Sequence, residues 1–348
     1  MSKGPATAVS DRDATESRIA GSAVLLGRSR LGERVLIAEG AIIRSGGSGV
    51  TVDTGSAVLE NSVVASTADL PTTVGRRSTF GHRCLVIGAT VGDLCEIGNA
   101  SILMPGATLG DRVFLGEGTL VPSSMRLPSD VVAVGRPAHI IRAANHADLE
   151  RLRGLRDGNL SIPPSTASAV EPTQEVGSMG QLYAYRGTLP TIANSAVIFD
   201  SAEITGDVVI GERSIIGAGV KIIGDSHGPV RIGDDVQILE NTVLHLLPDN
   251  ELVVDDRAIV GPGAMIHGCH IGAGALVEPG AIVCDGSSIG AGSVVRAGAV
   301  VKQRSRFGDG VDIDGFPAVD VGRVEAQVPT WALRRDELPQ RATHGGER

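Results

Sequence analysis

The side chains able to do chemistry in this chain of 348 residues are, above all, its eight histidines. They are His82, His139, His146, His227, His245, His267, His270 and His344. Neutral imidazole suits zinc, iron(II) or cobalt(II), and a single histidine can serve as a general base. Three imidazoles on one ion leave a position open for water. Four cysteines (Cys84, Cys95, Cys269 and Cys284) sit inside apolar segments and form no C-x-x-C pair. They read as buried, reduced thiols of a cytoplasmic protein rather than as disulfides.

The frame that must position these groups shows in the composition. Hydrophobic residues make up 42% of the chain, aromatic residues only 2%, and glycine occurs 47 times. A core of that kind is filled by small and β-branched side chains in a repetitive frame. The period is six: Val91-Gly92-Asp93, Ile97-Gly98-Asn99, Leu103, Leu109-Gly110-Asp111 and Leu115-Gly116-Glu117, then Ile232-Gly233-Asp234, Ile238, Ile266, Ile271-Gly272 and Ile289-Gly290. Six residues make one short strand and one corner, with the aliphatic residue inward and Gly, Asp or Asn turning the chain. Three such units close a triangular coil, and coils stack through backbone hydrogen bonds. The net charge of -9, from 31 basic and 40 acidic residues, comes with no basic stripe, which argues against nucleic-acid and anionic-membrane partners. No run reaches 18 apolar residues, so no membrane span is expected, and the polar start MSKGPATAVSDRDATES lacks a signal-peptide core.

The pattern is written twice. An offset of 180 carries Glu60-Asn61 onto Glu240-Asn241, Val91-Gly92 onto Ile271-Gly272, and Pro137-Ala138 onto Pro317-Ala318. The expectation is a mostly β protein of two parallel β-helix domains, 18–143 and 181–325. A polar N-terminus (1–17), a short helix and linker (144–180) and a tail (326–348) complete the chain. His146 to Asp157 carries the helix, with Leu149, Leu152 and Leu155 on its apolar side. Asn159 to Gly180 is rich in Pro, Ser and Thr and reads as linker. The tail segment TWALRRDEL suggests a further short helix.

From Leu182-Tyr183 through Ile223-Gly224-Asp225 and Glu240-Asn241-Thr242-Val243-Leu244-His245 to Gly261-Pro262-Gly263-Ala264-Met265-Ile266-His267-Gly268-Cys269, the second copy resembles the gamma-class carbonic anhydrases. The first copy resembles them from about Glu39 to Arg142, best at Thr79-Phe80-Gly81-His82 and Val134-Gly135-Arg136-Pro137-Ala138. The resemblance implies left-handed β-helices assembled in threes. A divalent metal at each interface would be held by two histidines of one β-helix and one of its neighbour.

Carried over, the first copy offers Ala65, His82 and Ile87, and the second His245, Pro262 and His267. The losses are complementary, so a first-copy barrel against a second-copy barrel is expected to join His82 with His245 and His267. The reciprocal contact, Pro262 with Ala65 and Ile87, has no ligands. Asp225 and Gln237 are the candidates to orient the imidazoles and support catalysis, and His227 and His270 are expected nearby. Arg44 and Glu240 are expected to pair where the two barrels meet. Departures from the family stand at Leu59 and Leu239, where a polar residue would orient the nucleophile, and at Gly47 and Ser226, where an acidic proton shuttle would sit.

The implied function is a zinc enzyme, with iron(II) or cobalt(II) as alternatives, that uses a metal-bound water or hydroxide to hydrate CO2 or a related small molecule. Two other classes fit the repeat: a metal-free hexapeptide acyltransferase and a non-catalytic scaffold. Two barrels do not close a ring of three. A homo-oligomer or an assembly with a related β-helix chain is therefore expected.

Overall fold

The structure, a computed structural model, describes residues 16–173, 179–225, 227–335 and 338. The polar N-terminal segment therefore lies almost wholly outside the described residues, as does His344. Each hexapeptide forms a strand of two or three residues and a turn. Glu96–Ile97, Ile102–Leu103 and Thr108–Leu109 are three consecutive examples. Each strand pairs in parallel with its counterpart one coil later. The result is a mostly β solenoid in two stacks. The first has walls of eight, six and seven strands. In the second, two walls are joined through the long strand Val197–Gly206 into a sheet of 14, and the third wall has seven. Ile97, Leu103, Leu109 and Ile271 point into the prism and are buried, as the period of six requires.

Register confirms the duplication coil by coil. On one wall of the first stack, Val63, Leu85, Ile102 and Leu120 lie above one another, with advances of 22, 17 and 18 residues. Val243, Met265, Ile282 and Val300 repeat those advances on the second. One coil earlier the advance is 21 residues from Ile42 to Val63 but 22 from Lys221 to Val243. The offset there drops to 179, so Arg44 corresponds to Ile223. Each stack ends in an antiparallel hairpin, Val131–Val134 with His139–Ala143 and Val311–Gly315 with Ala318–Arg323.

Between the stacks lies one helix, α1 (His146–Gly154), capped by Asn145 and Asp148. Its Leu152 is fully buried, and Arg156, just beyond it, binds Thr79 and Glu96 of the first stack. The following segment is not a free tether, although its composition reads as one. Ser168–Val170 pairs antiparallel with Ser29–Leu31, and Thr173 Oγ1 accepts from Leu25 N at 2.8 Å. An edge strand with unpaired backbone groups favours an added strand, whatever that strand's composition. The chain thus returns to the first coil before the second stack starts, and the two stacks stand side by side. In the tail, the described residues turn at Thr330–Ala332 and bury Trp331 instead of forming the expected helix.

The stacks meet through two apolar clusters. Val24, Ile42, Val63, Ala65, Leu85 and Ile102 pack on Phe199, Ile215, Ala218 and Ala297. Ile87 packs on Leu239, Ile259, Leu276, Val294 and Trp331. The approach is close: a Cβ on Gly263 would lie 2.9 Å from Leu85 Cδ2, and its φ of +66° favours glycine at that turn. Asn241 Nδ2 donates to Gly40 O and to Asn61 O, both at 3.1 Å.

Burial pushes the thiols of Cys84 and Cys95 up to about 12, and that of Cys269 higher. Because the thiolate is the nucleophile, these three cysteines should resist alkylation by iodoacetamide at pH 8 in the folded protein and react once urea unfolds it. Mass-spectrometric mapping of the label checks this.

Candidate metal centre

Two strands build the centre. Val243–His245 and Met265–His267 pair in parallel with His245 directly opposite His267. Their side chains therefore leave the same wall one above the other. His245 Nδ1 lies 3.2 Å from His267 Nε2. Behind His267, Asp285 accepts from Nδ1 at 2.5 Å and also from Leu247 N and Asn250 Nδ2 at 3.2 and 3.3 Å. Burial alone would raise the Asp285 carboxyl. The hydrogen bonds from His267, Leu247 and Asn250 outweigh it and hold the group below its ordinary value, so it remains an anion.

On the other side, Asp225 Oδ2 lies 3.8 Å from His245 Nε2. Asp225 Oδ1 accepts from His227 N at 2.9 Å, and the His227 ring sits edge-on to that of His245. Its Nδ1 lies 3.2 Å from Leu246 O. Asp225, His227 and His245 offer ligand atoms that all lie within 4.8 Å of one another. All these side chains are half-buried, open enough for a small molecule to reach.

The donor set fits a divalent ion. Two nitrogens bound to one tetrahedral zinc at about 2.0–2.1 Å would sit roughly 3.3 Å apart. His245 and His267 are at 3.2 Å. A carboxylate on the far nitrogen of a ligating imidazole fixes its tautomer and raises its basicity, which is the relation of Asp285 to His267. Asp285 was not among the expected residues. Its signal was its place 18 residues after His267, one coil of three hexapeptides later.

The other expected residues lie apart. Gln237 binds the tail: its Nε2 donates to Leu333 O, and its Oε1 accepts from Leu333 N, both at 2.9 Å. It points from the wall that also carries Leu239 and Ile259, not from the wall of His245. His270 begins the next wall, past the corner at Gly268, and pairs with Asp255 at 2.7 Å. His139 and His146 are exposed. His82 stands on a corner of the first stack, half exposed, with Nδ1 2.7 Å from Glu60 Oε2.

Arg44 and Glu240 do meet between the stacks, Nε to Oε1 at 2.5 Å, with side chains 6% and 0% exposed. Arg44 Nη2 also donates to Trp331 O at 2.9 Å. This is a buried pair, not a solvated one. It also corrects the expected arrangement of the barrels. Arg44 is in register with Ala65, and Ala65 with Ile87. Whatever surface meets Arg44 must therefore meet Ala65 and Ile87. The contact inside the chain is the one without histidines, and His245 and His267 face away from it.

A profile for bacterial transferase hexapeptide (six repeats) matches residues 268–303. Those residues carry the hexapeptide repeat of that family. The chain is 41% identical over 104 residues to a carbonic anhydrase of Geobacillus kaustophilus, covering 30% of this chain and 57% of that one. It is 32% identical over 105 residues to the carnitine operon protein CaiE of Escherichia coli, covering 30% and 53%. A hexapeptide transferase family protein from Anaplasma phagocytophilum is similar in structure, at 27% identity and a TM-score of 0.40, over 46% of this chain and 89% of that one. The hexapeptide chain spans about half the length of the curated relatives it matches.

Breaking a buried ion pair costs about 3–5 kcal/mol, because one charge is left unpaired. Arg44→Met and Glu240→Met should each lower the free energy of unfolding by that measure. The double variant should lie closer to wild type than either single one, and equilibrium unfolding reads the difference.

Proposed function

We propose that this hexapeptide protein is a metalloenzyme of the gamma-class carbonic anhydrase type that hydrates CO2 or hydrolyses a related small molecule. The observation that carries this reading is the 3.2 Å separation of His245 Nδ1 and His267 Nε2, with Asp285 on the far side of His267. His245 and His267 would hold the ion, zinc or alternatively iron(II) or cobalt(II); His82, which the contact inside the chain keeps away from them, would serve as the third ligand only from another copy of the chain. The chemistry the ion supplies when bound is activation of water near neutral pH.

The chain's own groups do the rest. Asp285 keeps the His267 proton on Nδ1, so Nε2 presents its lone pair. Hydration of CO2 releases one proton for each bicarbonate formed. The Asp225 carboxylate is one acceptor beside the site. His227 is the other: with Nδ1 on Leu246 O, its Nε2 is left for the proton. Gly47 and Ser226 leave the family's acidic shuttle position empty, and the Asp225–His227 pair takes that role in this reading. Gln237 has a structural part, tying the tail to the second stack.

The reading also takes the two stacks as two domains, 18–143 and 181–325, joined by α1 and the linker. Free thiols, three of the four buried, suit a reducing compartment, and we place the protein in the cytoplasm. No helix among the described residues is long and apolar enough to cross a membrane. The metal-free acyltransferase is the competing reading, favoured by the matches to transferases.

Metal analysis of anaerobically purified protein separates the two. Zinc or cobalt(II) should bind, and His267→Ala should weaken binding at least tenfold. Asp285→Asn should weaken it about 10–100-fold by loosening the imidazole it orients. CO2 hydration followed by stopped flow should fall with the same variants. Protein that takes up no divalent metal yet binds acetyl-CoA would establish the acyltransferase instead. Protein that binds neither would be a scaffold.

A further inference from the structure

The turn after strand Lys221–Gly224 carries groups that the fold does not need. The corresponding turn of the first stack, Ser45-Gly46-Gly47-Ser48-Gly49, is made of serine and glycine alone. It closes with Ser66 Oγ accepting from Gly46 N and Ser48 Oγ donating to Thr67 O. The second stack has Asp225 and His227 there, and His245 beside them where the first has Ala65. Among the described residues, Asp225 has no Lys or Arg partner. Its charged neighbours are His227, with Nδ1 3.5 Å from Oδ1, and His245, with Nε2 3.8 Å from Oδ2. Ile223 replaces the arginine of the first stack in this column, so no guanidinium stands beside the carboxylate. A half-buried carboxylate faced only by imidazoles attracts a cation.

The turn also holds its ligand atoms in place. His227 Nδ1 lies 3.2 Å from Leu246 O, so that nitrogen carries the proton and Nε2 keeps its lone pair. Asp225 Oδ1 accepts from His227 N at 2.9 Å, which leaves Oδ2 toward His245. The turn is pressed onto the next coil: a Cβ on Gly228 would lie 2.0 Å from Asn250 O. His245 itself has two sides, with Nδ1 facing His267 and Nε2 facing Asp225.

We propose that a second divalent cation binds on the far side of His245, held by Asp225 Oδ2, His227 Nε2 and His245 Nε2. The ligand atoms of these three residues lie within 4.8 Å of one another, and one chain supplies them all. The Asp225–His245 distance of 3.8 Å closes to the tetrahedral spacing with a movement of about 0.5 Å. Two nitrogens and a carboxylate oxygen suit zinc or cobalt(II). With both places filled, the His245 ring gives up its remaining proton and bridges the two ions. Each ion then has a carboxylate of its own, Asp225 as a ligand of one and Asp285 behind His267 for the other. An ion here takes up the two groups that accept the proton in the reading above, so filling the second place closes that route. That consequence rests on the metal reading; the site itself rests on its three side chains.

The test uses the full chain, with zinc as the probe and native mass spectrometry as the readout. The wild-type chain should take up two zinc ions. Asp225→Asn and His227→Ala should each reduce that number to one, as should His267→Ala, and His146→Ala should leave it at two. One zinc that survives His227→Ala and is lost in His267→Ala overturns the second site and leaves the metal reading standing. One zinc that survives His267→Ala and is lost in His227→Ala supports the site and overturns the His245–His267 pair. A chain that takes up no zinc overturns both. With copper(II) in both places, the shared ring should couple the two spins and extinguish the electron paramagnetic resonance signal of isolated copper. Two isolated copper signals overturn the bridge. CO2 hydration should fall about 100-fold as the second ion binds, the usual contribution of a positioned proton acceptor. A rate that holds at full occupancy overturns the blocked route.

Discussion

Stacking register is the constraint on which the rest of this molecule depends. In a parallel coil, a residue at the end of one strand lies directly over its counterpart a coil later. That column cannot be broken without breaking the backbone ladder. Arg44, Ala65 and Ile87 form one such column, and Ile223, His245 and His267 form the corresponding one in the second stack. Chemistry and association are therefore properties of whole walls. A wall that has lost its histidines is free to become apolar and be sealed, and a wall that keeps them must remain reachable.

The sealed wall shows what such a change requires. Ala65 and Ile87 are fully buried, where the second stack has half-exposed imidazoles. The one charge on that wall, Arg44, is matched by Glu240 and by the Trp331 carbonyl. Without those partners a buried guanidinium would disfavour the contact, so the ion pair acts as a registration pin more than as a source of affinity. The wall of the second stack has Ile223 where Arg44 would stand, and a Glu203–Lys221 pair where the first has Val24 and Ile42. It is more polar and half-exposed, as suits a surface that carries a site.

The linker matters to this asymmetry. By returning along the first stack and pairing with its first coil, it starts the second stack level with the first. Coil then meets coil, Glu240 reaches Arg44, and Gly263 fits against Leu85. A tether that ended elsewhere would shift the columns by whole coils and leave Arg44 buried without its partner.

Much of this was legible in the sequence, for a physical reason. The period of six dictates strand, corner and inward aliphatic locally, so Ile97 and Ile271 could be placed without a structure. The duplication fixes which residues correspond, so the Arg44–Glu240 contact could be read from the offset and the resemblance. Other features depend on contacts between distant segments, and no local pattern encodes them. Asp285 reaches His267 only because one coil closes over another, and Gln237 is taken by Leu333 only because the tail folds back onto its wall. The tertiary structure alone decided which of two possible contacts the chain makes with itself. Both join a first-copy barrel to a second-copy barrel, and the sequence contains the residues for each. Once Arg44 meets Glu240, register carries Ala65 and Ile87 into the same contact and turns His82, His245 and His267 outward.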